Sequence, residues 1–373
     1  MAAAGLSQVS FFSPMGYQKN SCGYCKTARG SPSYYASSTA VRAEDYEELI
    51  NRGWRRSGAL YYKPDLQRAC CPYYTLRLDP TQYKPRRDQK KALNRWNKFV
   101  LGQKYIKDAA RLCPKSKEEK RYHKQTFDLS QRVHEMEYSN IKRPRDPKSN
   151  PPRDIEPAHK FEVNIESDSF SQANYDPAYE KYEFGKSSAM RELALAIEMQ
   201  YQYYHMGYYI HSCPKMRYKA NFRPQSILDP VTLVWYPYDK FLPELDKRPF
   251  VTFSDAQASD LTTKPDQNVH SASPADNGLS SKQDKKEPLE EDEMSLFDLH
   301  VAGIMTAEEI KSQLDLDHWK LFIRGKLVDM IDLVGWEDSD MKDPQAIKGI
   351  IAELAAALGP KVVNNSAVML FQS

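Results

Sequence analysis

Cys22-Gly23-Tyr24-Cys25, and much later Cys70-Cys71-Pro72 running into Tyr73-Tyr74-Thr75-Leu76-Arg77-Leu78, decide how this chain is read. A C-x-x-C bends two sulfurs toward one point, and the adjacent pair supplies two more. Four thiolates are what tetrahedral zinc or an iron–sulfur cluster takes. In an intracellular chain structural disulfides are disfavoured. No βαβ pattern surrounds the C-x-x-C to make it a redox motif. A small domain also gains stability from a closing metal. The plain alternative is four buried or incidental thiols, and spacing does not separate zinc from iron–sulfur. Cys113 and Cys213 stand alone and read as buried apolar residues.

Around the cysteines the pattern is that of a compact unit, residues 18–101. The run from Tyr73 to Leu78 alternates and is rich in β-formers, so a strand is expected there. Ala43–Ile50 reads as a short helix with acidic residues in its first turn, stopped by Gly53. Asp88–Leu101 reads as a basic helix, with Leu93, Trp96 and Val100 at helical spacing.

Further out, residues 102–158 read as a basic connector. Its stretch KRPRDPKSNPPRDIEP holds five prolines in sixteen residues and cannot form a regular element for long. A second unit is expected over 159–253. In it FEVNI (161–165) alternates like a strand, Tyr175-Asp176-Pro177 signals a turn, and a helix runs from Ser187 to about Tyr201. Met190, Leu193, Ala194, Ile197 and Tyr201 form its apolar face, and Ser187 or Ser188 caps it. Strands are expected at Gly207–His211 and Thr232–Tyr236. Residues 254–293 read as a disordered acidic insertion. Residues 294–373 read as the helical remainder of the second domain, with helices at Trp319–Val334 and Ile347–Leu358. No internal repeat is visible.

Composition narrows the class. The chain has 373 residues and 43.0 kDa, room for two or three domains, with 40% hydrophobic residues and a mean hydropathy of −0.72. No apolar run reaches the ~18 residues of a membrane span, and the first twenty residues do not form a secretory signal. A cytoplasmic or nuclear location follows as the expectation. The formal net charge is only +3, but residues 84–160 carry 22 Lys and Arg against 10 Asp and Glu. That stretch faces a polyanion or is simply a solvated linker.

The motifs resemble a known family. CGYCK at 22–26, DYEELINRGWRRSG at 45–58, YYKP at 61–64, CCPYYTLRL at 70–78 and QKKALNRWNKFV at 89–100 resemble the N-terminal domain of arginyl-tRNA–protein transferases, eukaryotic type. YDPAYEKYEFGKSSAMREL at 175–193 and YQYYHMGYYIHSCPKMRYKANFRPQSILDP at 201–230 resemble its C-terminal domain. The resemblance implies an enzyme that moves arginine from Arg-tRNA to the N-terminal amine of proteins beginning with Asp, Glu or oxidised Cys. The added arginine marks them for ubiquitin-dependent degradation. It implies an α/β (α+β) chain with a small Cys-rich domain and a GNAT-like acyltransferase domain. It also implies an iron–sulfur cluster or zinc at Cys22, Cys25, Cys70 and Cys71. Family members carry a long segment between the FEVNI-like strand and the YDPAY-like motif. Here the two nearly adjoin, so the GNAT-like sheet is expected to lack its first central strands. A non-catalytic module that binds tRNA or protein N-termini is the alternative reading.

The chemistry asks for orientation more than for a triad. The donor is an activated ester and the acceptor an amine whose pKa near 8 makes deprotonation easy, so the catalytic residue is left unassigned. Phe184-Gly185-Lys186-Ser187 opens a helix whose N-terminus favours an anion, making Gly185 and Lys186 candidates. Tyr208, Lys215, Arg217 and Lys219 combine aromatic faces with cations suited to unpaired bases and phosphates. His211 is a base or, preferably, a satisfied core histidine. Lys90 and Lys91 suit a tRNA backbone. Arg55 and Arg56 suit either that or the acidic side chain of a substrate N-terminus.

Overall fold

The computed structural model describes residues 9–112, 114–135, 177–261 and 294–370. FEVNI, the proline-rich stretch 142–157, Cys113 and all but the start of 254–293 lie outside the described residues. In chain order the first elements are β1 (Ser10–Asn20), β2 (Ser31–Ser37), α1 (Ala43–Asn51), β3 (Arg55–Ser57), β4 (Leu60–Pro64) and β5 (Tyr74–Leu78). Then come α2 (Arg87–Leu112), α3 (Lys117–Gln125), α4 (Leu129–His134), α5 (Phe184–Glu198), β6 (Tyr204–Tyr209), β7 (Ser226–Leu228) and β8 (Trp235–Pro237). The remainder are α6 (Tyr238–Leu245), α7 (Phe253–Leu261), α8 (Leu296–Leu299), α9 (Ala307–Gln313), β9 (Lys320–Ile323), β10 (Lys326–Asp329), α10 (Ile347–Leu358), α11 (Pro360–Val363) and β11 (Ser366–Val368). The architecture is mixed α/β, in two compact units: Met1–Tyr74 with Leu228–Ser373, and Thr75–Ile227.

The first unit is built on a seven-stranded mixed sheet of order β10-β9-β11-β1-β2-β4-β3. β1 pairs antiparallel with β2 and parallel with β11, with Ser10 beside Ser366. The tail therefore does not complete the second domain, as its sequence suggested; it completes the cysteine-bearing one. The reason is the shared core. Phe12, Tyr34, Leu49, Trp54 and Tyr61 pack into one cluster with Trp319, Leu321, Trp336, Ile351, Leu354 and Leu358, and neither segment could bury its apolar face alone. Polar contacts lock the two segments together. Trp54 Nε1 donates to Ala357 O at 2.8 Å, and the Arg52 guanidinium donates to Ala356 O and Ala357 O. A cation and an indole N–H thus satisfy the last carbonyls of α10, which no intrahelical N–H can reach.

The α10 expectation, Ile347–Leu358, is met residue for residue. The helix expected at Trp319–Val334 is a hairpin instead, β9 and β10. Arg324 (φ 47°) and Gly325 (φ 81°) form its two-residue turn, the left-handed pair that a tight hairpin of this twist requires. α1 ends as expected at Arg52 and Gly53, the latter at φ 83°. Residues 254–261, placed in the disordered insertion by composition, lie in the helix Phe253–Leu261. The strand expected at Thr232–Tyr236 is shorter and later, Trp235–Pro237.

In the second unit α2 buries Leu93, Trp96 and Val100 as the spacing predicts. It does not stop at Leu101. The chain breaks at Gly102 (φ 77°, ψ 158°) and resumes to Leu112. α3 and α4 follow within the stretch read as a connector, α3 opened by a reciprocal Ser116–Glu119 capping box. Trp96 stands edge-on to Phe184 and Tyr182, at 4.8 and 5.1 Å between ring centroids. α5 begins at Phe184, three residues before the expected start. Glu183, in a left-handed conformation (φ 53°), is its N-cap, and Ser187 is buried within the helix rather than capping it. The following strand is Tyr204–Tyr209, not Gly207–His211, and ends where Tyr209 and Ile210 become buried. β5 pairs antiparallel with β7, Leu76 opposite Ile227.

Candidate metal centre and substrate-facing residues

A tight backbone knot builds the cysteine corner. Cys22 N–H donates to Thr27 O and Lys26 N–H to Cys22 O, closing a loop that Lys26 (φ 65°) and Arg29 (φ 55°) turn in the left-handed region. Gly30 O then accepts from Cys70 N–H at 3.0 Å, which draws the second cysteine pair against the first. Asp65, fully buried, fixes the approach of that second segment. Its carboxylate accepts from Tyr17 Oη, Arg68 N–H and the Arg68 guanidinium.

The result is that Sγ of Cys22, Cys25, Cys70 and Cys71 all lie within 4.8 Å of one another. Among the described residues this is the one such group of potential metal ligands. Zinc–sulfur bonds of about 2.3 Å in a tetrahedron put sulfurs about 3.8 Å apart, so the donor set fits. The cradle fits as well: a Cβ on Gly30 would stand 2.6 Å from Cys70 Sγ. A side chain there would push the thiol out of the group. Tyr24 N–H points at Cys22 Sγ at 3.4 Å, a donor suited to a thiolate. Cys22 and Cys71 are buried while Cys25 and Cys70 face outward. Thr27, through its hydroxyl and backbone, holds the Cys25 thiol down to about 6. Burial pushes Cys70 up to about 11 and Cys71 further. A bound cation would deprotonate all four. These residues could hold a metal, as their spacing predicts. Gly30 and Thr27 were missed in the sequence, where a glycine before a strand looks like any turn.

The other candidates in this unit lie at the sheet edge. Arg55 donates to Trp54 O, and Arg56, exposed, donates to Gly58 O and lies over the Tyr61 ring. Lys63 lies in the YYKP motif and carries no sequence signal that singles it out. It is 4% exposed and donates to Arg52 O at 2.5 Å. Burial, reinforced by nearby Arg52, holds its amine down to about 7.

In the second unit several candidate cations are engaged inside the fold. Lys219 Nζ donates to Met206 O at 2.9 Å and Tyr208 O at 2.7 Å, so it ties down β6. Lys186 Nζ is bound by Glu183 at 2.5 Å and Asp88 at 3.1 Å, and Glu183 also takes Arg95 at 2.6 Å. Glu183 is the N-cap of α5 without a side-chain capping bond, its carboxylate being taken by Lys186 and Arg95. Gly185 packs close: a Cβ there would meet the Tyr218 ring at 2.9 Å. Tyr208 is half-buried, and His211 Nδ1 shares a hydrogen with Tyr209 Oη at 2.7 Å. Arg217 donates to His211 O at 3.4 Å, Lys215 is exposed, Lys90 sits 4.8 Å from the Phe127 ring centroid, and Lys91 is exposed.

Comparison with known proteins agrees with the motif reading. The family described as "Arginine-tRNA-protein transferase, N terminus" matches residues 20–91, and "Arginine-tRNA-protein transferase, C terminus" matches 162–229. Arginyl-tRNA–protein transferase 1 of Arabidopsis thaliana is 39% identical over 99 residues, 26% of this chain and 16% of that protein. The Saccharomyces cerevisiae protein of the same name is 28% identical over 240 residues, 48% of this chain and 47% of the relative. An aspartate/glutamate leucyltransferase of Pseudomonas fluorescens is 24% identical over 249 residues, 60% of this chain and 95% of the relative. The chain thus spans 16% of the length of the Arabidopsis and Dictyostelium relatives it matches. Both halves of the arginyl-tRNA–protein transferase family thus match this chain, in order, and the N-terminal match spans the assembled four-cysteine corner.

Proposed function

We propose that the chain transfers arginine from Arg-tRNA to the N-terminal amine of proteins that begin with Asp, Glu or oxidised Cys, and so commits them to ubiquitin-dependent degradation in the cytoplasm or nucleus. In the step, the amine nitrogen attacks the arginyl carbonyl and an amide bond forms. The ester bond to the tRNA's terminal ribose breaks, and the amine's proton leaves with the released hydroxyl or the solvent. The observation that carries the reading is the ordered match of both family halves around an assembled four-cysteine corner. The bacterial relatives named for aspartate and glutamate acceptors support an acidic N-terminus as the acceptor class.

Cys22, Cys25, Cys70 and Cys71 would hold zinc or an iron–sulfur cluster, which when bound supplies a cross-link between two distant segments and a local positive charge. Arg56, Lys90, Lys91 and Lys215 are the candidate cations on the surface, suited to phosphate. Lys186 and Lys219 hold the scaffold. The second unit would carry the GNAT-like acyltransferase part. A non-catalytic module that binds tRNA or protein N-termini is the second reading, favoured by the near-adjacency of FEVNI and YDPAY, where relatives have a long segment.

The test is transfer of labelled arginine from charged tRNA to a peptide beginning with Asp, against one beginning with Ala, on protein purified without oxygen. Label on the Asp peptide alone is the expected result. No label, with tRNA binding and bound metal retained, would overturn transfer in favour of the module.

A further inference from the structure

The cations of the second unit divide into two sets. Near β6 and the start of α5, Lys219, Arg217 and Lys186 are spent on internal partners, and on α2 Arg95 is held by Glu183 and Arg111 by Asp108. Six others along α2 and α3 are not. From Lys84 to Lys124 the chain has fifteen Lys and Arg against four Asp and Glu. Lys91, Lys98, Lys104, Lys107, Lys117 and Arg121 are all exposed, and among the described residues none has a hydrogen-bonded or ion-paired partner. On α2, Lys91 and Lys98 are seven residues apart, as are Lys104 and Arg111. Each pair falls on one helical face about 10 Å apart. The apolar side of α2 before Gly102 is used up by Leu93, Trp96 and Val100, so the basic side must face solvent. Among the described residues of α2 beyond Gly102, Tyr105 is the buried one, and α3 is polar at every described position except Tyr122, which is 59% exposed. A membrane-surface helix needs an apolar stripe opposite its charges, and α3 has none. Arrays of unpaired cations without base-reading side chains suit phosphate rows, and a double-stranded RNA stem offers these in a fixed shape.

We infer that α2 beyond Gly102, together with α3, binds the double-helical stem of tRNA through its phosphates, independently of stem sequence, and apart from any site for the aminoacylated end. This rests on the reading of tRNA as donor but not on transfer itself.

The experiment uses the full chain and three probes: an uncharged tRNA transcript, a twelve-base-pair RNA hairpin, and a single-stranded pentanucleotide ending in CCA. Binding is followed by anisotropy from 50 to 200 mM KCl. The test variant is Lys104→Gln, Lys107→Gln, Lys117→Gln and Arg121→Gln. A control variant carries the same charge loss in the first unit, at Lys311, Lys326, Lys342 and Lys361, each to Gln. For tRNA and hairpin, the slope of log K against log salt should shrink in the test variant by about 3, at about 0.7–0.9 per phosphate contact. The pentanucleotide and the control variant should show no change. A charge-keeping set, the three lysines to Arg and Arg121→Lys, should restore the slope and so exclude misfolding. Equal loss in the control, or an unchanged hairpin slope, would overturn the inference. So would tighter binding of wild type to phosphatidylserine vesicles than to tRNA. Absence of arginine transfer with the slope change intact would sink the enzyme reading and leave this one standing.

Discussion

At the cysteine corner, four side chains from two distant segments turn toward one point. In the stretch from Tyr203 to Lys219, the polar side chains turn the other way. Lys219 is held by two carbonyls and His211 by Tyr209. Both regions are rich in the residue types that bind ligands. The difference is what the fold gathers: four thiols around one point, with Tyr24 and Thr27 beside them, against Lys219, whose ammonium already donates to two carbonyls.

The largest effect should come from breaking the corner. Cys71→Ser is expected to lower metal affinity at least ~100-fold, read by displacement of cobalt(II) from the corner. Gly30→Ala should move metal affinity in the same direction, since its Cβ would meet Cys70 Sγ. Unchanged metal affinity in Cys71→Ser would mean the four sulfurs do not act as one site. The joint between the N-terminal segment and the tail comes next. Trp54→Ala should cost about 3–5 kcal/mol in denaturant unfolding of the first unit, and Trp54→Phe only about 1–2 kcal/mol for the lost bond to Ala357 O. In the second unit, Lys219→Met should cost about 1–3 kcal/mol by orphaning two carbonyls while leaving the salt slope for tRNA unmoved. A slope change there would erase the division between engaged and free cations.

The smallest expected effect is a pH dependence of the first unit. Burial raises the Glu353 carboxyl to about 7, while the unfolded chain titrates near 4.5. Between those values the folded state holds more protons. The contribution is therefore fully present below about 4.5 and is lost as pH rises through about 7. Denaturant midpoints of wild type should fall from pH 5 to pH 7.5 more than those of Glu353→Gln. Parallel midpoints would assign the pH response elsewhere.

Legibility in the sequence followed the same division. The cysteine spacing and the Ile347–Leu358 helix could be read directly, because each is a local pattern with one physical solution. The hairpin at Lys320–Asp329 was misread because its apolar residues also suit a helical period. Only Arg324-Gly325 betrayed the turn. The domain membership of the tail was hidden for a different reason: nothing local in Ile351 or Leu358 says that Trp54 and Tyr34 are their neighbours. The free or engaged state of Lys98 and Lys219 was equally hidden, since partners of a cation are chosen by tertiary structure. Residues such as Gly30 become meaningful only once Cys70 is known to stand beside them.

The parallel pairing of β1 with β11 has a consequence for biosynthesis. Ser10 leaves the ribosome early, but its neighbour Ser366 follows more than three hundred and fifty residues later. At about 5–20 residues per second, that interval lasts roughly 20–70 s. Throughout it the central sheet is missing strands on one side of β1, and the thiols at 22, 25, 70 and 71 wait on a half-built scaffold. The sheet that carries β1 and β2 therefore gains its remaining strands only once residues 320–368 have been made.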